Sequence, residues 1–302
     1  MANISRPGDA TFTSKLNQAL SSPPASIIEL FSTLNIFLSI TASLSNALIL
    51  IALHKVSSIY PPTKLFFRCL AITDLGVGLL VQPLYVAVIM SPLIKINAHD
   101  VSYLFQVTFA LSWCLCGVSI LTSAGISVDR LLALLLGLRY RHVVSLRRVR
   151  VVIICFWLIG ALGGAIRMKR IDLSFKGAFV ILTLSLTITI FCYTTIHLKL
   201  RHQQAQLHDN VSQGPVAIGG GIPLNIARYR KSVSSILWVQ LALVTCYIPS
   251  GIGLMLSVNY MAGRATETLV FINSSLNPIL YCWKIREVKQ AMRETIRQFY
   301  CF

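Results

Sequence analysis

Long apolar runs separated by short polar stretches recur seven times along the chain. A hydrocarbon layer about 30 Å thick takes roughly 20 helical residues to cross, so these runs predict seven membrane-spanning helices. They lie at about Ile27 to Leu53, Leu65 to Met90, Val101 to Leu136, Val151 to Ile166, Phe175 to Leu198, Val233 to Asn259 and Thr266 to Trp283. The fourth is the shortest. The runs are long and continuous, without the roughly ten-residue alternation of outer-membrane strands, so a helical bundle is expected rather than a barrel. The pattern therefore predicts an all-α membrane protein, a seven-transmembrane helix bundle spanning residues 27–283. Residues 1–26 form a polar tail without an apolar core, so no cleavable signal peptide is expected and the first span acts as the insertion signal. The longest connection, about 199–231, holds Gly219, Gly220 and Gly221 between Pro215 and Pro223, which predicts a mobile loop. In residues 284–302, Ile285, Val288, Met292, Ile296 and Phe299 recur at spacings of three and four with Lys and Arg largely between them. That spacing predicts a short amphipathic helix on the inner leaflet, with Cys301 beside it as a candidate palmitoylation site or an unmodified thiol.

Composition agrees with lipid as the solvent. Of the 302 residues, 55% are hydrophobic and only 12% charged, whereas soluble domains carry about a quarter charged residues. The net charge of +17 does not point to nucleic acid, because the basic residues sit between apolar runs rather than on one face of a water-soluble fold. Their distribution instead predicts orientation. With the N-terminus outside, Lys55, Lys64, Arg139, Arg141, Arg147, Arg148, Arg150, Lys199, Arg201, Arg228, Arg230, Lys231 and all those beyond Trp283 lie in the cytosol. The external side is much poorer in them, as the positive-inside rule requires. Among the sequons, only Asn3 falls in the external tail and is a candidate for glycosylation. Cys69, Cys114, Cys116, Cys155, Cys192, Cys246 and Cys282 fall in or beside apolar runs, where free thiols are expected.

Polar groups inside lipid are costly, so those present are candidates for function. Asp74 lies mid-way along the second span, with Ser119 in the third and Asn273 and Asn277 in the seventh as possible oxygen partners. Two readings fit: a Na⁺ site, or a protonated carboxyl in a polar network. Asp129 and Arg130 adjoin at the inner end of the third span, where an ion pair would hold the guanidinium until a conformational change frees it, or where Arg130 simply anchors the helix. Pro278, in Asn277-Pro278-Ile279-Leu280-Tyr281, deletes a mid-helix hydrogen bond, and Asn277 is placed to occupy the freed groups. Pro249 offers a second deformable point in the sixth span.

Taken together, on these spans and in this order, these residues resemble the rhodopsin-like (class A) G-protein-coupled receptor family over nearly the whole chain, from Ile27 to Phe299. Asn46, Asp74, Trp157, Pro249 and Asn277-Pro278-Ile279-Leu280-Tyr281 match the family's motifs, and Tyr193 matches the fifth-span tyrosine that, with Tyr281, meets the freed arginine on activation. Departures are Leu131 after Arg130, Tyr247 in place of the tryptophan toggle, Phe105 at the usual external cysteine, and Ser185 for the fifth-span proline. These resemble the subgroup of melanocortin, lipid, cannabinoid and adenosine receptors, and Ile285-Arg286-Glu287-Val288-Lys289-Gln290 is most similar to adenosine receptors.

The resemblance implies a multi-pass plasma-membrane receptor that binds a small extracellular ligand, activates a heterotrimeric G protein and needs no cofactor beyond an allosteric Na⁺. The expected sodium ligands are Asp74, Ser119, Asn273 and Asn277. By the family's spacing the ligand pocket comprises Gln82, Tyr85, Phe109, Ser112, Trp113, Leu254, Glu267 and Phe271. Ser112 stands where aminergic members carry aspartate, which argues against a monoamine. Glu267 would receive a cationic or donor group, or else neutralise Arg264 or Lys176. Arg167, Lys169 and Arg170 would attract an acidic ligand or face solvent and headgroups. The activation switch would comprise Asp129, Arg130, Tyr193, Tyr247, Pro249, Pro278 and Tyr281, with Leu138 as an apolar contact for the G protein. The alternatives are a receptor-like protein that does not signal and, further off, a transporter, although no internal repeat is visible. No nucleophile with its base and no metal set lies in the spans, so an enzyme is not expected.

Overall fold

The computed structural model describes residues 24–57, 59–94, 97–212, 245–249 and 260–284, with isolated positions between 289 and 297. The described residues form helices and no strands. Five of these helices are long and apolar enough to cross a membrane, in Ala25–Lys55, Pro61–Ile94, His99–Val143, Leu146–Lys169 and Leu173–Gln203. They are the first to fifth spans, and the helix Tyr260–Lys284 is the seventh. Most of the sixth span, the greater part of the loop at 199–231, Asn3 and Cys301 lie outside the described residues.

Two boundaries differ from the apolar pattern. The fourth helix covers Leu146–Lys169, well beyond the run from Val151 to Ile166. Its start is capped by the Ser145 side chain, which accepts the Arg148 N–H at 3.4 Å, and its basic ends are tolerated because long cationic side chains keep their charge at the interface. The fifth helix covers Ile171–Ser212, so the first part of the expected loop is helical. The stretch Gln203-Gln204-Ala205-Gln206-Leu207 is polar but made of good helix formers, and the first Gly and Pro come only at Gly214 and Pro215. Between the fourth and fifth helices only Arg170 is non-helical, so the expected connection from Arg167 to Ser174 is a tight corner.

The third span is the centre of the bundle, packed against the second, fourth and fifth, while the first lies between the second and seventh. Lipid supplies no hydrophobic drive for helix association, so small residues that allow close backbone approach set the geometry. Gly160 and Gly164, one turn apart on the fourth span, meet the third. A Cβ at Gly160 would lie 2.6 Å from Val118 Cγ2 and 2.8 Å from the Cys114 carbonyl, and one at Gly164 would lie 2.7 Å from the Ala110 carbonyl. Gly78 does the same between the first two spans, where its carbonyl accepts the Ser39 hydroxyl at 2.7 Å.

The second span is not regular. Pro83 has no N–H for the Leu79 carbonyl, and the preceding Val77–Val81 winds as a π-helix whose next residue, Gln82, donates its N–H to Val77. This extra residue per turn re-aims the outer half of the helix, which carries Gln82 and Tyr85. At the inner end, the third span stops at Gly137, which takes φ 51°, and the chain turns through Gly137–Arg139 into the short helix Tyr140–Val143.

Candidate functional site

Three polar assemblies follow the axis of the bundle from outside to inside. The outer one centres on Glu267 of the seventh span. Its Oε2 accepts the Tyr85 hydroxyl at 2.5 Å and Arg264 Nη1 at 3.0 Å, and the Arg264 guanidinium lies 5.6 Å from the Tyr85 ring centroid. Tyr85 is completely buried, with its ring against Phe271 at 5.0 Å and Phe109 at 6.5 Å. Of the expected pocket residues, Tyr85, Phe109, Glu267 and Phe271 are thus in one contact network. Gln82, one helical turn from Tyr85, is fully buried, and neither end of its amide has a hydrogen-bond partner among the described residues. Ser112 approaches Cys116 at 3.9 Å and Trp113 packs edge-on against Phe175 at 5.3 Å. Leu254 lies outside the described residues.

Glu267 is therefore already engaged by Arg264. Arg167 departs from the sequence pattern in the opposite sense: where Lys169 and Arg170 are exposed, only 8% of Arg167 is, and its guanidinium lies 5.6 Å from the Phe109 centroid and 5.4 Å from that of Phe175. Nothing in the local pattern separates Arg167 from its two basic neighbours. The corner at Arg170 brings Phe175 back beside it.

The middle assembly surrounds Asp74, which is buried and accepts Asn277 Nδ2 at 2.8 Å through Oδ2. Among the described residues its other carboxylate oxygen has no direct hydrogen-bond partner, and neither do Ser119 Oγ, Asn273 Oδ1 and Asn277 Oδ1, all on buried residues. Asn273 and Asn277 are one turn apart on one helix face. The expectation that Asn277 would occupy the backbone group freed by Pro278 is corrected here. The carbonyl that loses its donor is Ser274 O, four residues before the proline, and it accepts Asn46 Nδ2 from the first span at 3.0 Å. Asn277 cannot reach backward along its own helix to that carbonyl and faces Asp74 instead, so the first span repairs the seventh.

The inner assembly centres on Asp129, 2% exposed. Its Oδ2 accepts Arg130 Nη2 at 3.0 Å and Thr63 Oγ1 at 2.9 Å, and its Oδ1 accepts the Tyr140 hydroxyl at 2.6 Å. Tyr140 stacks obliquely on Tyr60 at 5.3 Å, and the Tyr60 hydroxyl donates to the Val144 carbonyl at 2.9 Å. The Asp129 and Arg130 pair was legible in sequence; Thr63 and Tyr140 were not, being a threonine at a helix start and a tyrosine in a basic loop. Leu138 is 96% exposed on the turn just below. Tyr193 is buried in an apolar cluster with Leu131 and Ile196. Tyr247 packs on the outer cluster that includes Tyr85 and Phe271, and Pro249 ends the described segment 245–249. Pro278 is buried within the continuous helix Tyr260–Lys284, and the Tyr281 side chain lies outside the described residues.

A bundle of apolar spans with an outer aromatic and charged cluster, a buried carboxylate and a carboxylate–guanidinium pair at the inner end is the arrangement of a helical membrane protein with polar groups along its axis. The family described as 7 transmembrane receptor (rhodopsin family) matches residues 45–173, which include all three assemblies' residues on the second to fourth spans. Over 291 residues the chain is 24% identical to adenosine receptor A3 of Ovis aries, covering 86% of this chain and 87% of the relative. It is 23% identical over 297 residues to that of Bos taurus, at 86% and 87% coverage, and 23% identical over 292 residues to that of Canis lupus familiaris, at 86% and 88%. These findings support a rhodopsin-like, class A G-protein-coupled receptor that resembles the adenosine receptor subgroup. The matched family and relatives are signalling receptors, not enzymes, among which G-protein coupling is general, and with the apolar helices they support a multi-pass plasma-membrane protein.

Proposed function

We propose that this receptor has its N-terminus outside, binds a small ligand in the outer cavity and promotes nucleotide exchange on a heterotrimeric G protein at its inner face. The observation that carries the reading is the latch at Asp129. Three donors from three places, Thr63, Tyr140 and Arg130, converge on one buried carboxylate beside a fully exposed apolar side chain, Leu138. A charged group held so tightly at a membrane boundary is an element with two arrangements, engaged and released. On release, Arg130 turns toward Tyr193 and Tyr281 while the sixth span swings at Pro249, opening a surface on which Leu138 meets the G protein. The names of the relatives make a nucleoside one ligand class to screen.

Na⁺ is the proposed allosteric ion. Asp74, Ser119, Asn273 and Asn277 offer buried oxygens without hydrogen-bond partners among the described residues, the chemistry a small hard cation requires. Binding at Asp74 stabilises the arrangement in which those oxygens converge, and by reciprocity a ligand preferring the other arrangement competes with it.

The test is nucleotide exchange on the same cells in which surface level is measured. Arg130→Ala should reach the surface normally and lose exchange. Intact exchange at matched expression would overturn the mechanism, and no exchange from the wild type under any ligand class would make this a receptor-like protein that does not signal.

A further inference from the structure

Arg167 is a buried cation that forms no ion pair with any of the described residues, the nearest acidic influence on it being Glu267. Among the described residues its Nε, shielded from solvent, has no hydrogen-bond partner, and the ion pairs there, His99–Asp100, Arg130–Asp129 and Arg264–Glu267, do not include it. Two phenylalanine faces stabilise a guanidinium through their quadrupoles but accept no hydrogen bond from it. Isolated buried charge is expensive, and a resident structural role would come with an acceptor. The aromatic chain from Arg167 through Phe109 to Tyr85 leads to Glu267, which puts the cation in the same outer cluster. Glu267 is in direct contact with Arg264 and Tyr85, so among the described residues it acts on Arg167 only at a distance and makes no hydrogen bond to it.

We propose that Arg167 is the anion-binding residue of the outer cavity and that the receptor's ligand is a small organic oxyanion. Its carboxylate or phosphate group docks on the guanidinium, and its apolar part lies against Phe109 and Phe175. The fork of an arginine matches two oxygens of either group, and the flanking rings supply the apolar contact. The inference rests on the outer cavity being the ligand site.

The probes are sodium benzoate and inorganic phosphate, each exchanged for chloride at constant ionic strength and constant Na⁺, on purified full-length receptor in neutral detergent. Ligand that binds only the folded state raises the unfolding midpoint, here by roughly 2–6 °C at saturation. Wild type and Arg170→Gln, whose side chain is exposed, should show this saturable rise, and Arg167→Gln should not. An equal rise in wild type and Arg167→Gln overturns the site. Should Arg167→Gln fail to fold, Arg167→Lys decides, because it keeps the charge and loses the fork: the half-maximal benzoate concentration should increase about fivefold or more, and an unchanged value overturns the proposal. A rise seen only in nanodiscs containing phosphatidylglycerol, and with neither soluble anion, assigns Arg167 to lipid headgroups and also overturns it. Basal nucleotide exchange on the same preparations tests the receptor reading separately. Intact exchange without an anion response defeats this inference alone, while absent exchange leaves the binding result standing.

Discussion

Replacing Tyr140 with phenylalanine isolates the latch with little else disturbed. The phenol donates to Asp129 Oδ1 at 2.6 Å, and the ring that packs 5.3 Å from Tyr60 would remain. A hydrogen bond to a charged acceptor contributes about 1.5–3 kcal/mol, and Tyr140 is half-buried, which argues for the lower end, about 1.5 kcal/mol. Since 1.4 kcal/mol is a factor of ten in an equilibrium, a bond made only in the resting arrangement holds the released population down about tenfold. A receptor about 1% released would become about 9% released, so basal exchange should rise by nearly an order of magnitude. The assay is basal incorporation of a non-hydrolysable GTP analogue in membranes matched for surface receptor. Thr63→Val, which removes the 2.9 Å bond to Oδ2, should move exchange in the same direction. Basal exchange within twofold of wild type for Tyr140→Phe, at equal surface expression, would mean that the bond persists in both states and that the latch does not restrain activation.

Other outcomes follow from the packing and the buried oxygens. Replacing choline chloride with NaCl should raise the unfolding midpoint of the purified receptor, and Asp74→Asn should abolish the increment; equal increments in the two proteins would remove Na⁺ from Asp74. Asn46→Leu leaves the Ser274 carbonyl without its donor across the first and seventh spans, so a loss of about 1–3 kcal/mol is expected, read as a lower midpoint in detergent. An unaltered midpoint would show that another group satisfies that carbonyl. Gly160→Leu must displace Val118 or the Cys114 backbone and should cost about 1–3 kcal/mol or more, while Gly163→Leu, whose Cβ meets nothing within 4 Å, should change stability little. Similar losses for both would refute the close contact of the third and fourth spans.

The bundle itself was legible because lipid imposes a rule on sequence: a helix that crosses it must be apolar for about 20 residues, and polar exceptions must have reasons. The first five spans, Asp74, the Asp129–Arg130 pair and the proline positions could all be read from that rule alone. Helix ends were less legible, because lysine, arginine and glutamine continue a helix into water as readily as they leave it, which is why the fourth and fifth helices outrun their apolar cores. What tertiary structure decided was pairing between spans far apart in sequence. Whether Asn277 serves Pro278 or Asp74, whether Glu267 faces Arg264, and whether Tyr140 reaches Asp129 depend on helix rotation and on approach distances set by Gly78, Gly160 and Gly164 and by the π-turn before Pro83. Arg167 shows the same limit most plainly. Three basic residues within four positions look equivalent in sequence, yet Arg167 is turned inward between two rings, because a helix advances 100° per residue and only packing determines which direction is inside.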